Sequence, residues 1–233
     1  IRDTPRPGHA DFVLHQKFNG FNDYRGGGHS SGRLTVAIVA AGVVAKKILG
    51  KTEIEAHLAE ACGNTNIEAA IQKAVEEQDS IGGIVACNVK YLPSSLGEPF
   101  FDSVESVISH AIFAIPAIKG IEFGSGFNAA RMKGSEHNDA IIDAQGNTRT
   151  NNAGGINGGI SNGNELYFRV AVKPTSSTPK EQQTWSHATQ SVQSFSVKGR
   201  HDLCIALRVP VVVEAATALA LADLLLISGK ANN

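Results

Sequence analysis

An α+β fold, organised as a single domain over residues 1–233, is what the residue pattern of this chain predicts. Apolar residues recur at helical spacing in some segments and fall in short β-rich runs in others. The two kinds mix without a regular strand-helix-strand repeat, which argues against a doubly wound sheet. No linker divides the 233 residues, and a chain 42% apolar and 18% charged is that of a packed globule, excluding disorder and fibres.

The first helix is read over residues 35–49. Val36, Ile38, Val39, Val43, Val44 and Ile48 make it apolar almost all round, and Lys46, Lys47 and then Gly50 supply the chemistry of a helix end. It is expected to be buried and to start directly behind a glycine loop. Ile67, Ala70, Ile71, Ala74 and Val75 follow Asn66 at helical spacing. Val104, Val107, Ile108, Ala111 and Ile112 do the same behind Asp102, with Glu105 three residues on as in a capping box. Strands are expected at residues 83–91, 165–173 and 191–197, and a last helix at 211–227. That last run is interrupted by Glu214 and Asp223 and falls short of the roughly 20 residues of a bilayer span, so it reads as a core helix and not as a membrane segment. Asp223 is expected to cap a neighbouring loop.

With 21 Lys and Arg against 22 Asp and Glu, the formal charge of −1 leaves no overall basic field for nucleic acid or an anionic membrane. Any anion site has to be built locally. Cys62, Cys87 and Cys204 are odd in number and form no C-x-x-C, which argues against a disulfide framework or thiolate zinc and for a reducing cytoplasm. The eight histidines include no ligand-like pair on one helix face, so no metal is expected. The amino end carries no signal-peptide pattern.

Glycines cluster at Gly26-Gly27-Gly28, at Gly124-Ser125-Gly126 and from 154 to 163, where backbone must approach something closely or turn with positive φ. Around the first cluster, Arg25, His29, Ser30, Ser31 and Arg33 put hydroxyls and guanidinium groups beside free backbone N–H groups, just ahead of a helix. That is the composition of an anion cradle, although a glycine hairpin with solvated arginines has the same letters. Lys173-Pro174-Thr175-Ser176-Ser177 ends a strand with a cation and three hydroxyls, suited to phosphate and equally to a plain turn. Gly199-Arg200-His201-Asp202 groups a fixed cation, an imidazole and a carboxylate. Gly124-Ser125-Gly126-Phe127-Asn128-Ala129 matches G-x-G-x-x-A, the outline of a dinucleotide fingerprint, but Arg131 to Ser135 leave little room for the helix such a site needs.

Eight strings occur in the order and spacing of one family: Arg6-Pro7-Gly8-His9-Ala10-Asp11, Asp23-Tyr24-Arg25-Gly26-Gly27-Gly28, Ser30-Ser31-Gly32-Arg33, Asp79-Ser80-Ile81-Gly82-Gly83, Leu96-Gly97-Glu98-Pro99, residues 154–161, Lys173 to Ser177, and Gly199 to Asp202. The chain resembles chorismate synthase along essentially its whole length. The resemblance implies an α+β sandwich of antiparallel sheets enclosing helices, assembled as a homotetramer. It also implies a lyase of the shikimate pathway that makes chorismate from 5-enolpyruvylshikimate 3-phosphate by 1,4-elimination of phosphate and needs reduced FMN without net oxidation. The flavin would be reduced by an NADPH activity of the chain or by an external reductase.

Residue by residue, the resemblance assigns His9 to the flavin N1 side and Asp202 to a position near N5, where it helps carry away the proton. Arg6, Arg33 and Arg200 are implied as substrate ligands. His29, Ser30, Ser31, Ala117, Gly158, Lys173, Pro174, Thr175, Ser176, Ser177 and Arg200 stand where the family contacts FMN. His29 departs from the arginine that many members carry, and Leu203 from a common proline. The sequence opens at Ile1-Arg2-Asp3-Thr4 with no methionine. The family's Gly-Glu-Ser-His-Gly motif, with a second catalytic histidine, is not present ahead of Ile1, so the chain is expected to be the carboxyl-terminal two-thirds of a longer one. Two other classes stay open: a non-catalytic flavin or phosphate binder, which would hold FMN without turnover, and a nicotinamide oxidoreductase, which would form a detectable NAD(P)H complex.

Overall fold

The computed structural model describes residues 2–197, 199 and 201–230. Six helices and eight strands follow in chain order: α1 (Asp11–Lys17), α2 (Thr35–Leu49), β1 (Glu53–Ala61), α3 (Ile67–Glu77), β2 (Gly83–Lys90), α4 (Val104–Phe113), β3 (Ile118–Phe123), α5 (Gly134–His137), β4 (Ile156–Asn157), β5 (Ile160–Ser161), β6 (Leu166–Val172), β7 (Gln182–Ser186), β8 (Ser191–Phe195) and α6 (Pro210–Ile227). Four strands form one antiparallel sheet in the order β1-β2-β6-β3, and β4–β5 and β7–β8 are separate hairpins.

Alternation sets which face of the sheet is buried. Leu166, Phe168, Val170 and Val172 on β6 point inward with Val85, Cys87 and Val89 on β2, all buried. Helix α6 packs across β1 and β2, and α4 lies against β3. Its length and apolarity would let α6 cross a membrane, but 61% of it is buried inside the fold, and it forms the centre of the core. Pro210 begins it, where a missing N–H costs nothing.

Local chemistry accounts for the helix ends. Asn66 caps α3 by accepting from the Ala69 N–H at 3.1 Å. The cap of α4 is Ser103, not Asp102: the Ser103 hydroxyl accepts from the Ser106 N–H at 3.1 Å. A hydroxyl directly ahead of Val104 reaches that N–H, and Asp102 lies one residue too early. Asp223 is exposed on α6 and makes no hydrogen bond among the described residues, so it caps no loop there.

Helix α2 has the predicted limits but not the predicted burial. Only Gly42, Ala45 and Leu49 are buried, along the seam with α6, whereas Val36 is 70% and Val44 60% exposed. Its closest approach is at Gly42, where a Cβ would stand 2.5 Å from that of Ala215. Lys46 of α2 meets Glu214 of α6 at 2.6 Å, and the other oxygen of Glu214 accepts from the Ala56 N–H of β1 at 3.0 Å. One carboxylate thus ties three elements together.

Candidate active site

Three loops converge where β6 ends and α4 runs into β3. They surround a cavity of about 790 Å³, within the range of roughly 300–1,000 Å³ usual for ligand sites. The loop ahead of α1 brings Arg6, Gly8 and His9; the loop ahead of α2 brings Gly26, Gly27, Ser30, Ser31 and Arg33; and the exit of β6 brings Lys173 to Ser177. Ala117 from the start of β3, and Asp202 and Arg208 ahead of α6, complete the wall.

Hydrogen bonds join these loops. Lys173 Nζ donates to Ser176 Oγ at 2.8 Å and to the Gly8 carbonyl at 3.2 Å, and Ser176 Oγ donates to that same carbonyl at 2.7 Å. Burial, and then the charge of Lys119, draw the Lys173 ammonium below the ordinary lysine pKa. Asp79 anchors the far end of this loop, accepting from Thr178 Oγ1 at 3.1 Å and pairing with Lys180 at 3.1 Å. Thr175 Oγ1 is buried on the cavity wall with no partner among the described residues, the kind of hydroxyl that a ligand oxygen satisfies.

The glycine loop is shaped differently from the other two glycine clusters. Gly26 and Gly28 have φ of +112° and +47°, and a Cβ on either would meet nothing within 4 Å. They are there for conformation: the Gly26 N–H donates to the Tyr24 carbonyl at 3.0 Å, and the Gly28 N–H has no partner among the described residues. Gly124 and Gly154 instead pack on each other and on Asn152, so those clusters serve a close backbone crossing away from the cavity.

On the amino-terminal loop, Asp11 is 8% exposed, accepts three hydrogen bonds from Arg6 and lies 2.6 Å from His9 Nδ1. Its Oδ2 takes Arg6 Nε at 2.7 Å and the Arg6 N–H at 3.1 Å; its Oδ1 takes Arg6 Nη2 at 2.9 Å and stands 2.6 Å from His9 Nδ1. Burial alone would raise the Asp11 pKa, but the Arg6 and His9 bonds outweigh it and hold the carboxyl well below the usual range. Arg6 Nη2 lies 3.1 and 3.2 Å from the two ring nitrogens of His9. Such near-equal distances place it over the ring and not in plane with either nitrogen, so Nε2 is left uncommitted.

The sequence profile of the chorismate synthase family matches residues 1–226. This chain belongs to the chorismate synthase family. Chorismate synthase of Chitinophaga pinensis is 65% identical over 233 residues, covering 100% of this chain and 70% of that protein. Chorismate synthase of Dehalococcoides mccartyi is 46% identical over 259 residues, covering 98% of this chain and 71% of its relative. A crystal structure of chorismate synthase superposes with a TM-score of 0.74 at 26% identity, covering 94% of this chain and 70% of that one. The fold is the mixed antiparallel-sheet and helix fold of that structure, and the activity is that of chorismate synthase, a phosphate-lyase.

Most residues that the resemblance to chorismate synthase singled out share the one cavity: Arg6, His9, Ser30, Ser31, Arg33, Ala117, Lys173 to Ser177 and Asp202. Two do not. His29 is exposed on the glycine loop and does not line the cavity, whereas Gly27, Ser30 and Ser31 around the 3-10 turn Gly28–Ser30 do. Gly158 is the turn of the β4–β5 hairpin, which sits at the start of α4, where Val104 N–H donates to the Gly159 carbonyl at 2.9 Å. The cavity lies beyond the other end of α4, about 15 Å away for a helix of 10 residues. Arg200 lies outside the described residues.

The dinucleotide fingerprint does not form a dinucleotide site. Gly126–Arg131 is a 3-10 turn, and the Glu122 carboxylate accepts the Phe127 N–H at 3.0 Å where a pyrophosphate would have to sit. Sequence reasoning missed Arg208, which pairs with Asp202 at 2.9 Å on the cavity wall, and gave no role to Asp11. Arg208 carried no signal in the sequence. Asp11 did, as a carboxylate two residues from His9 and five from Arg6.

Proposed function

We propose that this chain catalyses the reduced-FMN-dependent 1,4-elimination that converts 5-enolpyruvylshikimate 3-phosphate to chorismate and inorganic phosphate. The observation that supports it is the convergence of Arg6, Arg33, Lys173 and Arg208 on one cavity in a chain of net charge −1. Substrate and cofactor are both anions, and cations gathered beside serine and threonine hydroxyls suit them.

FMN fits the donors present. Lys173, the hydroxyls of Ser30, Ser31, Ser176 and Ser177, the orphaned Thr175 Oγ1, and the backbone at Ala117 and Pro174 would hold it, with Arg200 added by resemblance. When bound, reduced FMN lends electron density to the substrate as the allylic C–O bond breaks, and no net oxidation results. Arg33 makes no hydrogen bond or ion pair through its guanidinium among the described residues and is suited to the substrate's phosphate or carboxylates. Arg6 contributes less than the resemblance implied, since Asp11 occupies its Nε and Nη2, leaving Nη1, which reaches Ser177 Oγ at 3.3 Å. His9 presents Nε2 for a proton. Asp202, held at Oδ1 by Arg208, would receive the departing ring proton at Oδ2.

The finer architecture and assembly belong to the same reading. Helices enclosed between two antiparallel sheets would cover the exposed apolar side of α2, and the homotetramer is measured by sedimentation equilibrium.

An anaerobic assay with the substrate and photoreduced FMN tests the activity. Chorismate and phosphate should appear in equal amounts, and only with reduced flavin. Turnover with no reductant present would overturn the cofactor requirement. Tight FMN binding without turnover would favour a non-catalytic flavin binder.

A further inference from the structure

The geometry around Asp11 points to a positioning role: we propose that this carboxylate fixes the tautomer of His9, keeping a proton on Nδ1 so that Nε2 is the nitrogen that takes and returns protons in the cavity. The inference rests on the reading above for His9, and on distances for Asp11.

A carboxylate oxygen 2.6 Å from His9 Nδ1 repels a lone pair on that nitrogen and so favours a hydrogen there. Its remaining acceptor capacity is filled by Arg6 Nε, Nη2 and N–H, which locks the carboxylate plane. The first turn of α1 holds Asp11 itself in place. Arg6 neutralises the carboxylate, and a proton taken up at Nε2 leaves the Nδ1 side facing Asp11 unchanged.

On its other side Asp11 lines a smaller cavity of about 190 Å³. Arg2, Asp3, His15, Tyr24 and His187 are the charged and titratable groups there. None of them lies within hydrogen-bond distance of Asp11, so the Arg6 and His9 contacts set its orientation.

Asparagine in place of Asp11 keeps the shape and changes the Oδ1 side, where the Arg6 Nη2 bond is lost and the His9 contact is reversed. If its oxygen faces Arg6 Nε and the Arg6 N–H, its NH₂ faces His9 Nδ1. The imidazole must then accept at Nδ1 and carry its hydrogen on Nε2, the wrong tautomer for a base. An equivalent change in a serine protease triad costs about 10⁴ in turnover.

The test uses the whole chain labelled with ¹⁵N-histidine, with His9 assigned by its loss in His9→Gln. Two-bond ¹H–¹⁵N correlations should show neutral His9 as the Nδ1–H tautomer in the wild type and as Nε2–H in Asp11→Asn. An Nε2–H tautomer in the wild type overturns the proposal, even if the variant fails to fold. With reduced FMN and substrate, Asp11→Asn should lower kcat by roughly 10²- to 10⁴-fold with KM little changed. The double variant Asp11→Asn/His9→Gln should be no slower than His9→Gln alone. Full additivity of the two losses would show that Asp11 does not act through His9. Absence of turnover in the wild type would count against the proposed activity alone, because the tautomer measurement needs neither flavin nor substrate.

Discussion

At the scale of single residues, Lys173 shows how a side chain can serve the fold and remain available to a ligand. It holds Ser176 and the Gly8 carbonyl, and its charge is disfavoured there by burial and by Lys119. A bound phosphate reverses that balance, since an anion favours the ammonium. Lys173→Met should weaken FMN binding by about 10- to 100-fold, the equivalent of one charge-assisted hydrogen bond. Affinity of the wild type should also fall as pH rises, starting below the ordinary lysine pKa, because the free chain gives up this proton early. Lys173→Arg should keep affinity flat over the same range. Flavin fluorescence titrations across pH check both points, and wild-type affinity in Lys173→Met would remove this residue from the cofactor shell. The residue was legible because a cation and three hydroxyls after a strand form a compact string. The Asp11 contacts were not, because a carboxylate inside a motif does not reveal its bonds until the loop folds back on it.

At the scale of elements, strong caps and long apolar periods were readable, and small or interrupted patterns were not. The limits of α2 and α3 followed from Gly50 and Asn66. Strand β1 alternates correctly, but its inward positions include Ala56, and alanine gives little β signal. Strand β3 is short and carries Gly120, with a register shift between Ile118 and Gly120. Burial of α2 was misjudged because a helix apolar on all sides signals partners on all sides, and here α6 covers one stripe. That stripe is nonetheless tight. Gly42→Ala would set a methyl 2.5 Å from Ala215 Cβ and 2.7 Å from its Cα, forcing the helices apart. Overpacking of this kind costs about 1–3 kcal/mol, or roughly 2–12 °C in Tm for a chain of this size. Ala215→Gly added to Gly42→Ala should recover most of the loss. Thermal unfolding of the two variants decides it, and a Gly42→Ala chain as stable as wild type would mean that the α2–α6 seam is loose.

At the scale of the whole molecule, the fold places its polar chemistry at one end of the sheet and keeps its centre dry, and Cys87 reports on that centre. It is 0% exposed on β2 beneath α6, and burial, reinforced by the charge of Glu214, pushes its thiol up to about 12 despite a bond with Thr217 and the charge of Lys46. In the unfolded chain the same thiol ionises near 8.5. The native state therefore keeps a proton that the unfolded state has lost between about pH 8.5 and the folded value of about 12. The sign follows directly. This group's contribution to stability is complete below the unfolded pKa and is lost as pH rises through that window, at no more than about 1.4 kcal/mol per pH unit. Cys87→Ala removes the titrating group and leaves a fixed cost for the missing sulfur, which does not vary with pH. Urea midpoints measured from pH 8 to 11 should thus show the wild type's advantage over Cys87→Ala shrinking steadily. Parallel curves for wild type and Cys87→Ala would mean that water reaches β2 beneath α6, and that the sheet and its central helix do not form the sealed core on which the cavity loops are mounted.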